Sequence, residues 1–392
     1  MLIENTWRVL VVDDDEDFFR QIREHYEHWE HNGNGFVFEF TTDFDEALAL
    51  LEQRRFDLVM LDVFRGKQME GGDDLGIQIL EKIKARRFVP VIFFTALPAA
   101  VAGLESPLVK IAGKQDGLTR LNARAIEFLD TPLLKLSREI YAHIEETMRK
   151  YLWEYVPANW SKIVGSPDDG TLAYLICRRL AYTLDVDGAQ SLASKLSPPT
   201  GGALPADPKA HPLRFYVMPP TSGLRTGDIL KGPGQDESYW LILTPWCDLT
   251  QQGTKAVNAE FVTLVKLIPL TQFNEYTDWI EPPPSQGKET RFSLLVGTPT
   301  KKPEKRQEGR YHFLPGAVDL PALVIDFQQI SSQPIGNLTN YLRLATLDSP
   351  YNESVVSWYL RFVSRIGTPD LDTDKVIANL RALNAPAASA NA

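Results

Sequence analysis

The first third of the chain alternates between short apolar runs and segments in which apolar residues recur at helical spacing. The apolar runs cover residues 9–12, 56–63, 91–94 and 108–113. Continuous apolar runs are typical of strands that are buried on both faces of a parallel sheet. Helical spacing is clearest over residues 15–29, where Phe18, Ile22 and Tyr26 fall on one face. The pattern predicts an open α/β sheet in this region.

Polar side chains stand where these apolar runs end. Residues 9–12 lead into Asp13 and Asp14, and the second run carries Asp62 near its end. The third and fourth runs lead into Thr95 and Lys114. A single Asp at such a point is more often a helix cap or a turn residue. Ligands of open α/β sheets bind at the carboxyl ends of the strands, so four runs that end this way indicate one shared site.

The chemistry of this set points to a divalent metal and a phosphoryl group. Carboxylates at one sheet edge repel each other unless a cation joins them, and a few hard oxygen ligands suit Mg²⁺. Thr95 and a lysine would hold phosphoryl oxygens, which leaves Asp62 as a carboxylate nucleophile. Lys110 competes with Lys114 for the lysine role. Lys114 is favoured because it closes the apolar run, whereas Lys110 lies inside it.

The motifs VLVVDDDEDF, LVMLDV and VIFFTA, followed by the later lysine, stand in the order found in one known family. Together they resemble the CheY-like receiver domain of response regulators. The resemblance covers about the first third of the chain. It implies a doubly wound, flavodoxin-like sheet of five parallel strands. It also implies a receiver that catalyses its own phosphorylation and dephosphorylation, and no separate catalytic site is evident in the sequence.

The resemblance assigns a role to each polar residue of the set. Asp62 is the implied phosphoacceptor, Thr95 the switch hydroxyl, and Lys114 the partner of the phosphoryl group. The implied ligands of Mg²⁺ are Asp13, Asp14, Asp62 and the backbone carbonyl of Phe64.

The sequence departs from the family pattern around the face that usually switches. The loop over residues 65–74 is long and polar, and residues 97–107 are rich in Ala and Pro, so the fourth helix is expected to be short or irregular. Ile111 stands where the family has an aromatic switch residue. We still expect Asp62 to be phosphorylated. The departures affect the residues that usually transmit the phosphorylated state to the output face.

Shifts in composition divide the rest of the chain. Asp130-Thr131-Pro132 is a strong helix start, and helical register continues to about residue 155. This helix is interpreted as a connector that transmits a signal or pairs with its copy in a homodimer; an ordinary helix of the next domain is an equal alternative. The predicted regions are a receiver domain (1–130), a helical connector (131–187), a linker (188–213), a β-rich output domain (214–345), C-terminal helices (346–383) and a disordered tail (384–392).

Short apolar runs separated by Gly and Pro indicate a β-rich second half. They cover residues 215–217, 228–230, 240–243, 261–265, 292–296 and 322–325. This spacing predicts a small barrel or a curled sheet. Helices are expected near residues 351–366 and 374–383.

Composition excludes several classes of protein. A hydrophobic content of 44% is sufficient for globular cores, and a net charge of −10 disfavours general binding to nucleic acid or anionic membranes. The two cysteines, Cys177 and Cys247, do not form a disulfide framework and suit a reducing compartment. We see no signal peptide and no apolar run of membrane-spanning length. We therefore expect a cytoplasmic protein.

Three further patterns are candidates for chemistry. Cys247 and Asp248 follow an apolar run and could form a metal or catalytic set with His312, although a buried thiol followed by a turn Asp is the favoured interpretation. His25, His28 and His31 share a helix face, which an exposed polar surface explains better than a metal. The basic run at residues 301–306 includes an acidic residue and is typical of a solvated loop.

The sequence therefore favours a two-component response regulator that a histidine kinase phosphorylates on Asp62. No helix-turn-helix, winged-helix or basic-region pattern follows the receiver, so we expect output through contacts with a protein partner rather than DNA. Two alternatives stay open. One is a phosphate sink, for example in a two-component system for phage defence, and the other is a receiver-gated effector enzyme that acts on nucleic acid.

Overall fold

The chain divides into two units, Met1–Ala203 and Leu204–Ala392. The computed structural model describes residues 6–27, 29–63, 75–160, 169–184, 210–234, 238–250, 257–297, 309–366 and 371–383. Within those ranges no helix is both long enough and apolar enough to cross a membrane.

The first unit contains a five-stranded sheet in which every neighbouring pair is parallel, in the order β2-β1-β3-β4-β5. The strands are β1 (Thr6–Val12), β2 (Gly35–Thr41), β3 (Leu58–Leu61), β4 (Val91–Thr95) and β5 (Val109–Gly113). The helices are α1 (Glu16–Tyr26), α2 (Phe44–Gln53), α3 (Leu75–Arg86), α4 (Pro98–Val101) and α5 (Gly117–Leu129). This arrangement confirms the predicted doubly wound fold. The strand order reverses between β1 and β3, which is where such folds bind ligands.

Both faces of this sheet are covered by helices. On one face Leu10 and Leu61 pack in a cluster with side chains of α2 and α3. On the other, Val9 and Met60 pack in a cluster with side chains of α1 and α5. All four strand residues are fully buried, which explains why the strands form continuous apolar runs.

The helix boundaries follow local capping and turn chemistry. Asp15 caps α1, because its side chain accepts hydrogen bonds from the backbone N–H groups of Asp17 and Phe18. The helix ends at Tyr26, three residues earlier than its apolar spacing predicts. The predicted short fourth helix is confirmed, since α4 has four residues and continues only as a 3₁₀ turn over Ala102–Leu104.

A long helix, α6 (Pro132–Lys150), follows the five receiver helices. Leu134 on its first turn is buried in the same cluster as Trp7. Farther along, Arg138 Nε lies 3.3 Å from a carboxylate oxygen of Asp57, and the guanidinium lies 4.5 Å from the centre of the Trp7 ring. Burial raises the pKa of Asp57, and the Arg8 N–H and the Arg138 charge oppose part of that rise. The first half of α6 is therefore packed on the receiver.

The described residues that follow α6 are helical on both sides of the gap at 161–168. A π-helical turn spans Tyr151–Tyr155, α7 covers Val156–Ala158, and α8 covers Asp169–Thr183. His143 Nε2 lies 3.0 Å from the carbonyl oxygen of Thr183, which places α8 beside α6. The predicted connector is thus at least two packed helices.

The second unit contains a seven-stranded antiparallel sheet in the order β10-β11-β9-β8-β7-β12-β6. The strands are β6 (Tyr216–Val217), β7 (Asp228–Lys231), β8 (Tyr239–Ile242), β9 (Phe261–Pro269), β10 (Tyr311–Leu314), β11 (Leu323–Pro334) and β12 (Leu342–Leu347). The helices are α9 (Trp246–Leu249), α10 (Asn274–Ile280), α11 (Gln286–Val296), α12 (Tyr351–Val363) and α13 (Thr373–Leu383). A register shift between Asp326 and Ile330 interrupts the pairing of β11, and such bulges bend a strand. The β-rich prediction is confirmed as a curled sheet that leaves β10 and β6 at its two edges.

One strand prediction was wrong. Residues 292–296 form the end of α11. Ser285 caps this helix by accepting a hydrogen bond from the backbone N–H of Lys288. Phe292 and Leu295, three residues apart, then pack against Phe273 in a small cluster. A short apolar run fits a strand or one face of a helix equally well, and here the cap decides.

Two buried carboxylates lie within this second sheet. Asp326 accepts two hydrogen bonds from Arg310, at 2.8 and 2.7 Å, and Asp228 lies 2.9 Å from Arg343. Burial would raise the pKa of Asp326, but the hydrogen bonds from Arg310 and neighbouring groups outweigh it and lower the pKa. Each arginine compensates the charge of a carboxylate that is fully buried.

We predict that His312 makes the second unit sensitive to acid. Its ring lies beside Trp358, with 6.2 Å between the ring centres, and burial lowers its pKa to about 4. An unfolded histidine titrates near pH 6.5, so between pH 6.5 and 4 the unfolded chain binds a proton that the folded chain does not. Stability should therefore be complete above pH 6.5 and fall as the pH drops towards 4, by roughly 1–2 kcal/mol at pH 5.

Urea unfolding at pH 7.5, 6.0 and 5.0 tests this prediction. The variant His312→Leu should lose most of the pH dependence between pH 7.5 and 5.0. His211→Leu is the matched control, because His211 is exposed in the same unit, and it should keep the wild-type dependence. Equal pH dependence in the wild type and His312→Leu would contradict the assignment.

Candidate functional site

The ends of neighbouring strands bring three carboxylates together. Asp13 follows β1 and Asp62 follows β3, and the last residues of these strands, Val12 and Leu61, are paired in register. One carboxylate oxygen from each of Asp13, Asp14 and Asp62 lies within 4.8 Å of the other two. Asp13 and Asp62 are buried, whereas Asp14 is exposed.

Backbone groups fix the two buried carboxylates. Asp62 Oδ1 accepts a hydrogen bond from the N–H of Val63 at 2.7 Å, while the N–H of Asp62 donates to the carbonyl of Val12 at 2.9 Å. Asp13 Oδ1 accepts from the N–H of Asp15 at 3.0 Å. In each residue the backbone holds Oδ1, and Oδ2 is left to face the centre of the cluster.

Lys114 occupies that centre. Its Nζ lies 2.7 Å from Asp13 Oδ2 and donates a hydrogen bond to Asp62 Oδ2 at 2.8 Å. The same ammonium lies 5.4 Å from the centre of the Phe18 ring on α1. Lys110, the alternative lysine, instead lies 3.6 Å from Glu127. The structure therefore places Lys114, and not Lys110, beside Asp62.

Burial and charge oppose each other in this cluster. Burial raises the pKa of Asp13 to about 6, against the hydrogen bond and charge of Lys114, and the charge of Asp62 adds to the rise. Burial alone would lower the pKa of Lys114, but hydrogen bonds and charges from Asp13 and Asp62 outweigh it and raise the pKa. The ammonium therefore stays charged at neutral pH and compensates part of the negative charge of the cluster.

Thr95 lies one strand farther along the same edge. It ends β4, is fully buried, and is paired in register with Gly113, the residue before Lys114. Its hydroxyl accepts a hydrogen bond from the N–H of Leu97 at 3.2 Å. The hydroxyl thus faces the segment that leads into α4. Phe64, whose carbonyl was predicted as a metal ligand, lies outside the described residues.

The carboxylate cluster fits a divalent cation. Asp13 Oδ2 is buried, and Lys114 Nζ at 2.7 Å is its close polar neighbour among the described residues, so the oxygen has room for a further cationic partner. Asp14 and Asp62 place further carboxylate oxygens within reach of the same point. Hard oxygen donors in small number are the ligands that Mg²⁺ takes in proteins.

Gly76 is a further residue on which this site depends. Its N–H donates to the carbonyl of Val63 at 3.1 Å, so the start of α3 packs directly on the chain that leaves Asp62. A Cβ at this position would clash with the Asp62 carbonyl oxygen and lie 2.8 Å from the Cα of Val63. The sequence gives only a weak indication of this contact. Glycines often occur near the start of a helix at positions where no other backbone segment packs closely.

We predict that Gly76→Ala destabilises the receiver by roughly 1–3 kcal/mol, because the added methyl group meets backbone atoms that cannot rotate away. Gly103→Ala is the matched control, since nothing lies within 4 Å of a Cβ there. Urea unfolding of both variants measures the difference. Equal stability of the two variants would contradict the close approach.

The candidate metal ligands outside the receiver are not gathered into a metal site in the part of the chain that the structure describes. Among the described residues, the one group with metal-ligand spacing is that of Asp13, Asp14 and Asp62, so a metal set of Cys247, Asp248 and His312 is not formed. The favoured interpretation of Cys247 as a buried thiol was also wrong, because the thiol is exposed. Cys247 lies on the one-turn helix α9, whose buried side chain is Leu249.

His25, His28 and His31 were expected to lie on a polar surface rather than to bind a metal. His25 Nε2 lies 2.9 Å from an amide nitrogen of Asn122, and His31 Nε2 lies 2.7 Å from a carboxylate oxygen of Asp130. Each of these two rings therefore contacts a different residue of the chain. His28 and the basic run at residues 301–306 lie outside the described residues.

Comparison with known proteins supports one region of the chain. The family model for the response regulator receiver domain matches residues 9–121. A search of curated proteins finds no match. The Francisella response regulator 1452 receiver domain is 27% identical, with 31% of this chain and 95% of that chain covered and a TM-score of 0.25. The response regulator TrrA from Thermotoga maritima, in complex with Mg(2+)-BeF, is 21% identical, with 31% and 98% covered and a TM-score of 0.25.

A third solved structure, RcsB from Salmonella enterica serovar Typhimurium bound to promoter rprA, is 18% identical, with 32% and 99% covered and a TM-score of 0.26. TM-scores of this size do not support a relationship. The assignment of the first region to a family therefore rests on the family match, the sheet order and the motifs. Residues 9–121 are therefore a receiver domain of the response-regulator family, the phosphorelay module of two-component signalling.

Proposed function

We propose that this chain is a response regulator in which Asp62 accepts a phosphoryl group from a histidine kinase and whose later regions signal through contacts with a protein partner. One observation carries the proposal. The Asp62 carboxylate lies at the carboxyl end of a buried strand, beside Asp13 and in direct contact with the Lys114 ammonium.

The chemistry requires a nucleophile and a cation that holds the transferred group. A carboxylate oxygen of Asp62 forms the new P–O bond as the P–N bond of a phosphohistidine breaks, and the imidazole keeps the electron pair of that bond. Lys114 is charged and lies 2.8 Å from Asp62 Oδ2, so its ammonium can hold oxygens of the incoming phosphoryl group. The Val63 N–H keeps the other carboxylate oxygen oriented.

Asp13, Asp14 and Asp62 would hold Mg²⁺, with the carbonyl of Phe64 as a further ligand. When bound, the ion would neutralise charge on the phosphoryl oxygens. The chain's own carboxylates support this role, because Asp13 Oδ2 is buried and faces the cluster. Its raised pKa is what a buried acid shows when compensation by one lysine is incomplete.

Thr95 is the proposed switch. Its hydroxyl now accepts a hydrogen bond from the Leu97 N–H. A phosphoryl group on Asp62 would offer this hydroxyl a new acceptor, and reorientation towards it would release Leu97 at the start of the α4 segment. Ile111, which is 8% exposed, stands where the family has an aromatic switch residue, so the proposed response runs through the segment that begins at Leu97.

The helical region offers a surface for the output partner or for a second copy. Trp153 is 77% exposed and Trp160 is 53% exposed. Large aromatic side chains of this kind are enriched at protein–protein interfaces. This observation favours output through protein contacts, and the histidine kinase and the partner are the two proteins that the proposal requires.

We predict that Asp62→Asn removes phosphorylation and leaves the fold intact, because the amide is a poor nucleophile of nearly the same shape. Intact mass after incubation with Mg²⁺ and acetyl phosphate should show one added phosphoryl group on the wild type and none on the variant. Asp43→Asn, at the cap of α2, is the control and should be phosphorylated like the wild type. A stable phosphoryl adduct on Asp62→Asn would show that Asp62 is not the phosphoacceptor. A very short-lived adduct on the wild type would favour the alternative function as a phosphate sink.

We predict that Asp13→Ala and Asp14→Ala each weaken Mg²⁺ binding by roughly tenfold or more, since each removes one of the three carboxylates grouped at this edge of the sheet. Titration calorimetry with MgCl₂ measures the affinity. Asp17→Ala is the control, because Asp17 lies on the first turn of α1 and pairs with Arg20 at the surface. If both acidic variants bound Mg²⁺ like Asp17→Ala, the ligand assignment would be wrong.

A further inference from the structure

We infer that the second unit binds an organic cation, an ammonium or guanidinium group, in a cavity beside α9. The cavity has a volume of about 480 Å³, which lies within the range of small-molecule sites in proteins. It is formed where β8 ends and β9 begins. Its polar and aromatic lining residues are Thr244, Asp248, Asn258, Phe261, Thr263 and Tyr359.

The lining offers negative charge and hydrogen-bond acceptors. Asp248 supplies a carboxylate, and Asn258 supplies a side-chain amide whose oxygen can accept a hydrogen bond. Among the described residues, no lysine, arginine or histidine lines the cavity. A group that carries positive charge and N–H donors therefore complements this cavity, whereas an anion would be repelled by Asp248.

Asp248 itself lacks a compensating partner. Its side chain is half-buried, and no described residue forms an ion pair or a hydrogen bond with its carboxylate. In the same unit, Asp228 and Asp326 are buried and each is paired with an arginine. The carboxylate of Asp248 is therefore available to a cation from outside the chain, whereas those of Asp228 and Asp326 are already paired.

The backbone around the cavity is held in place before any ligand binds. Thr244 Oγ1 accepts a hydrogen bond from the N–H of Thr263 at 2.7 Å, and its carbonyl accepts from the Thr226 hydroxyl at 2.7 Å. The N–H of Ala259 donates to the carbonyl of Asp248 at 3.0 Å. These bonds fix Asp248 relative to the start of β9, so little order is lost on binding.

Two aromatic rings complete the cation site. Phe261 is 57% exposed at the first position of β9, and Tyr359 lines the cavity from α12. Aromatic faces attract ammonium and guanidinium groups. Elsewhere, the Arg225 guanidinium lies 5.2 Å from the centre of the Trp246 ring on α9. A carboxylate beside one exposed ring, Phe261, and one half-buried ring, Tyr359, is the combination that would recognise an organic cation.

Such a cation could come from a free amine or from a lysine or arginine side chain of a peptide. Titration calorimetry on the full chain distinguishes these sources with agmatine and cadaverine as free cations. Gly-Gly-Arg-Gly-Gly and Gly-Gly-Lys-Gly-Gly are the peptide probes, and valeramide is the neutral control. We expect at least one cationic probe to bind with a single site and valeramide not to bind. Binding of peptides alone would assign the site to a protein partner.

The variant Asp248→Asn should weaken binding of that probe by roughly tenfold or more, because it removes the charge and keeps the shape. Phe261→Ala should also weaken binding, and its exposed ring contributes little to the core. Asp319→Asn is the matched control, since Asp319 is exposed and does not line the cavity. Unfolding midpoints of all variants check that the fold is retained.

The inference is overturned if no cationic probe binds, if valeramide binds as well as the cations, or if Asp248→Asn binds like the wild type. The titrations use no phosphodonor and do not involve Asp62. Their outcome is therefore independent of whether the receiver is phosphorylated.

Discussion

The contact of Lys114 with two carboxylates is the interaction on which the receiver depends. Asp13 and Asp62 are buried at the ends of adjacent strands, and their charges would repel each other without the ammonium between them. The parallel sheet imposes this arrangement, because it brings the carboxyl ends of β1 and β3 to one edge. The Lys114 ammonium reduces this repulsion in the folded chain. The same ammonium is the group proposed to bind the oxygens of a phosphoryl group on Asp62.

Much of the receiver could be predicted from the sequence because its strands are buried on both faces. Burial of this kind produces continuous apolar runs, and the polar residue that ends each run then marks the site. The choice of Lys114 over Lys110 followed from the same reasoning, and the structure places Lys114 beside Asp62. Gly76 was harder to identify, because its importance comes from a backbone approach across the chain that no local pattern reports.

The second unit was predicted less well, for physical reasons that particular residues show. Residues 292–296 have strand-like composition but form a helix, from which Phe292 and Leu295 pack in a cluster with Phe273. The pairs Arg310–Asp326 and Arg343–Asp228 join residues that no periodicity connects. Cys247 was expected to be buried, yet a single helical turn directs it outwards while Leu249 is buried instead. Each case depends on tertiary contacts, which override local preference.

The packing of α6 has a consequence for how this protein can be taken apart and recombined. The family match ends at residue 121, yet Leu134 and Arg138 cover Trp7 and Asp57 on the receiver. A chimera joined at the family boundary would leave the Trp7 ring and the half-buried carboxylate of Asp57 uncovered at the amino end of the sheet. The portable module is therefore longer than the region that defines the family, and grafts of this receiver onto other outputs should carry α6 with them.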